Sequence, residues 1–291
     1  MKAIPNFYNI KFTQRITLLL CAFLLCLIMT TMLNTLILSV IGSSNLLYIN
    51  LSILTQNLLT FILPVVIAVA FITPKPATFL QLDKIPSLKT FLLVIAVYIA
   101  MTPALNYIVD WNNNISLPKS MAGIEIFMRN AENAALAVTS MILEQNNIIV
   151  SILLVGCLTG LGEEVFFRGG LQQIFLSRPM NIHIAIWITA FIFSALHFQF
   201  FGFFPRLLLG ALFGYLAYWS GSLWTAIFAH ALNNSTTIIA HEINKQNGFN
   251  LDNLGVPQSG EIPWLAIISL LVSIAIIYIY LKTTKQQKNP L

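Results

Sequence analysis

The chain has 291 residues, of which 57% are hydrophobic and only 9% charged, and its formal net charge is +5. Soluble domains carry about 25% charged residues, so this composition excludes an ordinary water-soluble globule. The positive balance does not indicate a nucleic-acid partner, because the lysines and arginines lie in short segments between apolar blocks and at the chain ends, with no basic face to follow a phosphate backbone.

One crossing of a roughly 30 Å hydrocarbon layer takes about 20 apolar residues. On that measure eight spans are predicted in chain order, at 16–41, 51–73, 89–109, 147–167, 181–201, 205–220, 222–240 and 263–281. The predicted fold is therefore all-α, a polytopic transmembrane helix bundle of about eight spans forming a single integral membrane domain over 1–291. Only Ser220, Gly221 and Ser222 separate the sixth span from the seventh, so a count of six or seven is the alternative. Lys2, Lys11 and Arg15 precede the first apolar run, which is longer than a signal-peptide core and lacks a small-x-small cleavage site; it reads as a span. Cys21, Cys26 and Cys157 lie in apolar blocks and read as small buried hydrophobes, without metal-type spacing or a disulfide framework.

Between the third and fourth spans, Asp110 to Pro118 reads as a loop. The stretch 121–145 that follows is rich in Met, Ala and Leu, yet Glu125, Arg129, Glu132 and Glu144 recur along it, which predicts an amphipathic helix at the outer interface. With the N-terminus cytoplasmic, one side of the membrane collects ten basic residues against Asp83, and the other side most of the acids together with Lys119, Arg129, Arg206 and Lys245. This asymmetry fits the positive-inside bias, puts both termini on the cytoplasmic side of a cell inner membrane, and places Glu163 and Glu164 near the cytoplasmic end of span four.

Span four carries the sharpest feature, Glu163 and Glu164 followed by Arg168. Charges inside hydrocarbon are costly unless they meet protein or water, so they ask for partners. On a helix Glu164 and Arg168 are four apart and pair on one face, while Glu163 points about 100° away. Span five contributes Phe193 and His197, again four apart, and span seven contributes His230 and Asn234 with the same spacing. One shared interior site would satisfy polar groups from all three helices. In it Glu163 would deprotonate a water molecule, His197 would share or relay the proton, and His230 with Asn234 would hold the carbonyl oxygen as it gains charge. Glu164, Arg168 and Phe193 support these four. Ser194 lacks triad partners and no HExxH is present. Glu163, His197 and His230 are also a set that could hold Zn²⁺ with a water as fourth ligand, although the Glu164–Arg168 pairing favours a site without cofactor or metal.

These residues resemble a known family. EEVFFR (Glu163 to Arg168), FSALH (Phe193 to His197) and HALNN (His230 to Asn234) are similar to the three motifs of the CPBP intramembrane metalloproteases, also called the Abi or CAAX-protease family, over about 145–240. The resemblance implies that Glu163 activates water with His197, that Glu164 and Arg168 accompany it, that His230 and Asn234 form the oxyanion hole, and that no metal takes part. It also implies a bacterial member with a catalytic core at 145–240, acting on a peptide or protein that is lipid-modified or membrane-embedded, in contact with membrane lipids. The rival readings are an ion- or proton-coupled transporter, and a non-catalytic immunity or scaffold protein. Gly210 and Gly214 have the small-xxx-small spacing of close helix contacts, either inside the chain or in a homo-oligomer.

Overall fold

The computed structural model describes residues 10–43, 45–247, 251–258 and 261–288; Lys2 lies outside them. Among the described residues there is no strand. The long helices are α1 (Phe12–Ile41), α2 (Leu46–Ile72), α3 (Leu88–Asn113), α4 (Ala122–Gln145), α5 (Ile148–Leu176), α6 (Ile182–Ala195), α7 (Phe203–Ser220), α8 (Leu223–Asn247) and α9 (Trp264–Lys288). Each of the eight predicted apolar segments is a helix. Six are long and apolar enough to cross a membrane; α6 is apolar but short, and α8 is long but too polar to count with them.

Side chains that accept the first unpaired N–H groups start several of these helices. Asn45 Oδ1 accepts from Leu47 N at 2.9 Å, Asn147 Oδ1 from Val150 N at 3.0 Å and Asn181 Oδ1 from His183 N at 2.8 Å. Helix α7 ends on Gly221 at φ +67, a left-handed turn that lets α8 start almost at once. Pro103 interrupts the ladder of α3, and Ser269 of α9 repairs it: its hydroxyl takes the Ala104 N–H at 3.2 Å and donates to Ala100 O at 2.5 Å.

Several boundaries differ from expectation. Helix α3 runs on to Asn113, so the first part of the predicted loop at Asp110 is helical. Helix α5 runs on to Leu176, which puts Glu163 and Glu164 in mid-helix rather than near an end. The predicted span ends at residue 167, beside Arg168; because that charge is neutralised internally by Glu164, the helix does not need to stop there. Cys26 is buried as expected, but Cys21 and Cys157 are exposed, since they fall on the outward faces of their helices.

Helix α5 is the centre of the bundle and packs against α1, α2, α6, α7 and α8. Two wide π-helical stretches, Ile152–Leu158 and Val165–Leu171, flank Glu163 and Glu164 in it. Such turns re-aim side chains and recur at functional sites. Gly160 lies so close to α8 that a Cβ there would stand 3.0 Å from Ala231 N, so any larger residue would push the two helices apart by a few tenths of an ångström. Gly210 and Gly214 face Phe193, Arg168, Ile186 and Gln172 of the same chain. Helix α4 contributes no buried residue. Its Arg129 guanidinium lies 3.9 Å from the centre of the Phe201 ring and donates to Ile115 O at 3.0 Å, which ties the helix to the rest of the bundle.

Candidate active site

The acidic pair of α5 is divided as its helical spacing required. Glu164 and Arg168 are both fully buried, and Arg168 Nη1 donates to Glu164 Oε1 at 2.6 Å. The other arm of the guanidinium, Nη2, donates to Gly210 O of α7 at 2.7 Å. Aromatic faces close around it, with the Phe193 ring centre 4.6 Å and the Phe213 ring centre 5.6 Å from the guanidinium carbon. Phe193 thus supports the site by packing on Arg168 and by meeting both His197 and His230 edge-to-face.

Glu164 has a second partner, 66 residues away in sequence. His230 Nδ1 lies 2.8 Å from the same Oε1. That oxygen already accepts from Arg168, so His230 Nδ1 is the donor and carries a hydrogen. The opposite nitrogen, Nε2, then points toward Glu163, 3.8 Å from Oε2. Stacking of the imidazole on Phe213, with centroids 5.0 Å apart and planes at 22°, fixes the ring. Glu164 is therefore more than the partner of Arg168; it also sets the tautomer and orientation of His230.

His197 stands at the end of α6, where its Nδ1 donates to Phe193 O at 2.8 Å, leaving Nε2 as the acceptor nitrogen. Phe198 follows at φ +54, a left-handed residue that swings the chain out of the helix directly after the imidazole. Asn234 Nδ2 donates to Val155 O at 3.2 Å, while Asn233 Nδ2 donates to Asn234 Oδ1 at 3.2 Å, which orients the amide and leaves one Asn234 N–H uncommitted. Ser194 is occupied elsewhere, its hydroxyl donating to Phe203 O at 2.7 Å.

Glu163, His197, His230 and Asn234 all line one cavity of about 500 Å³ between α5, α6, α7 and α8. Glu163 is 8% and His230 5% exposed, so both are withdrawn from bulk solvent while still facing this space. Among the described residues no direct hydrogen bond joins Glu163 to His197, and no group of three or more His, Cys, Asp or Glu side chains is arranged to hold a metal ion. The trio Glu163, His197 and His230 does not form such a group; His197 is anchored instead on the Phe193 carbonyl.

The cavity also contains residues that sequence reasoning assigned elsewhere. Arg206 and Glu132 line it, although both had been counted as charges of the outer side. A signal was present for Arg206, the lone Asp, Glu, Lys or Arg between Arg178 and Glu242. Glu132 offered none, since its spacing on α4 looks like part of a wet face. Burial pushes its carboxyl above the usual range, partly countered by Arg206 and by the Phe201 backbone N–H.

A buried carboxylate, two oriented imidazoles and an amide surround one cavity inside an apolar helical bundle, which marks the class as a multi-pass membrane protein with a polar interior site. The sequence comparison agrees: residues 145–236 match the family described as Type II CAAX prenyl endopeptidase Rce1-like. This segment, about a third of the chain, is similar to Rce1-like domains of the CAAX-protease (CPBP) family, a likeness that supports a protease, and it contains all the site residues of α5, α6 and α8. No curated protein and no solved structure matches the chain.

Proposed function

We propose that this protein is an intramembrane endopeptidase that cleaves a peptide bond with water activated by Glu163. The observation that carries the reading is the convergence of Glu163, His197, His230 and Asn234 on one cavity from three helices. Glu163 takes a proton from a water molecule as the water oxygen attacks the peptide carbonyl, and His197 Nε2 accepts a hydrogen bond that positions that water. The carbonyl oxygen gains the negative charge and is held by the uncommitted Asn234 N–H. The proton passes from Glu163 to His230 Nε2, 3.8 Å away, which turns that ring into a second donor facing the oxyanion. When the tetrahedral intermediate collapses, the C–N bond breaks and the proton returns through Glu163 to the leaving amine. Glu164 and Arg168 touch no substrate; they hold His230 in the tautomer that this sequence of transfers needs.

The reaction as written uses no metal, because each proton and charge has a protein group to receive it. The substrate in this reading is a peptide bearing a prenylated cysteine near its C-terminus, the class that the description of the matched family names. The catalytic core is the stretch 145–240, with the earlier helices as its support.

The test is Glu163→Gln, assayed on a fluorescent peptide ending in a farnesylated cysteine and three apolar residues. The variant should insert and elute like the unaltered protein while kcat falls by roughly 10²–10⁴, the range of general-base catalysis. Dialysis against a strong chelator should leave the unaltered enzyme active. Cleavage retained by the variant removes Glu163 from the reaction, and loss of cleavage on chelation, restored by zinc, replaces the metal-free scheme.

A further inference from the structure

Arg206 stands in the first turn of α7 and faces the same cavity as Glu163. Its guanidinium is held from one side by the loop that follows His197: Nη2 donates to Gln199 Oε1 at 2.7 Å and Nη1 to Gln199 O at 3.4 Å. Gly202 makes room for it, since a Cβ there would stand 2.5 Å from Arg206 Nη2. Those two bonds use part of a fork with five donors. Among the described residues no carboxylate lies within ion-pairing distance of Arg206, and Glu132 and Glu163, which face the same cavity, act on it only through the field of their charges. A half-buried cation in an apolar bundle, placed by its neighbours yet not paired, needs an anion to complete it.

We propose that Arg206 binds a carboxylate of the substrate and thereby fixes which peptide bond reaches Glu163. This rests on the hydrolase reading above and adds to it the feature by which the substrate is measured. A planar guanidinium matches a carboxylate with two parallel hydrogen bonds, a fit that an ammonium cannot reproduce. The carboxylate has two sources, the free end of the peptide chain or an acidic side chain close to it. Either one, seated on Arg206, holds the chain at a set distance from the attacking water.

The experiment uses the full chain in lipid nanodiscs and three fluorescent peptides, each with a farnesylated cysteine followed by three residues. The first ends in a free carboxylate and the second in an amide; the third ends in an amide but carries Glu at the last position. Binding is measured by anisotropy in the Glu163→Gln background, so that nothing is consumed, and kcat/KM is measured with Glu163 in place. The free acid should bind roughly ten- to hundredfold more tightly than the amide, as expected for charge-assisted hydrogen bonds away from bulk water. Arg206→Gln should abolish that preference while leaving binding of the amide within about twofold, and Arg206→Lys should restore only part of it. If the third peptide binds like the acid, an acidic side chain serves as well; if it binds like the amide, the chain end is what is read. Equal binding of acid and amide, or equal losses for both in Arg206→Gln, overturns the proposal. Equal cleavage of both by the unaltered enzyme removes the carboxylate site and leaves the hydrolase reading standing. Preferential binding without cleavage of any of them does the reverse.

Discussion

In α1 and α2 the buried polar side chains are uncharged, and Thr30 and Asn57 each also bond a carbonyl of their own helix. Thr30 donates to Cys26 O at 2.8 Å in its own helix and accepts from Thr60 at 3.0 Å, and Thr55 bonds both Asn34 at 2.7 Å and Leu51 O at 2.9 Å. Between α5 and α8 the buried polar groups are instead Glu163, Glu164, Arg168, Gln172 and His230, and beside the local Glu164–Arg168 pair they are joined by bonds from Arg168 to Gly210, Gln172 to Gly214 and His230 to Glu164 that run between helices. A neutral group of the first kind, such as Thr30 or Asn57, keeps its own-helix carbonyl whatever the neighbouring helix does, and carries no charge to desolvate. The second is tolerable only while the helices hold one arrangement, because a charge separated from its partner in the bundle interior faces a large desolvation cost. The two halves are joined where Asn57 of α2 lies against Gly162 of α5 and donates to Thr159 at 3.3 Å, directly before the acidic pair.

The largest effect that tests this contrast is Arg168→Met. It removes the cation from a fully buried pair and leaves Glu164 beside His230 with no compensating charge. Losing one partner of such a pair costs about 3–5 kcal/mol. Thermal unfolding in detergent should therefore shift far down, and cleavage should vanish with it. A variant that unfolds like the unaltered protein would mean that the cluster is no more structural than the hydroxyl links of the first half.

Gly160→Ala comes next. The added methyl meets Ala231 N at 3.0 Å, backbone that can retreat only if α8 moves from α5. Overpacking of this kind costs about 1–3 kcal/mol. Because α8 carries His230 and Asn234, kcat should fall more than stability alone explains, with KM for the farnesylated peptide nearly unchanged. Equal kcat with lowered stability would show that the interhelical spacing matters for the bundle and not for the site.

How much of this was legible in the sequence follows from the range of each interaction. Glu164 with Arg168 is a local i,i+4 pair, and it forms as its spacing required, with the Arg168 Nη1 to Glu164 Oε1 bond at 2.6 Å. The six long apolar helices and the shorter α6 are likewise set by local composition. The bond from His230 to Glu164 spans 66 positions and depends on how α8 lies against α5, so no spacing in the sequence could reveal it. The place of Arg206 on a cavity was hidden for a related reason: a charge between two apolar blocks looks the same in sequence whether it meets water or an internal cavity. Helix α5 outruns the predicted span, which ends at residue 167, because the charge of Arg168 is met inside the protein by Glu164.

The smallest effect is expected in the first half, from Thr60→Val. Thr60 donates to Thr30 Oγ1 at 3.0 Å, and once that donor is gone Thr30 still donates to Cys26 O, so no buried hydroxyl loses its last partner. Interhelical hydrogen bonds in membrane bundles are worth about 0.6 kcal/mol on average. The melting transition should drop only slightly, and kcat/KM on the farnesylated peptide should match that of the unaltered enzyme. Thr60 lies in the π-helical stretch Gln56–Ile62, which also holds Asn57 against Gly162. A marked loss of cleavage at nearly full stability would therefore carry a definite meaning: the hydroxyl link would be setting the register of α2 against α5, and the first half would be part of the catalytic machinery rather than its support.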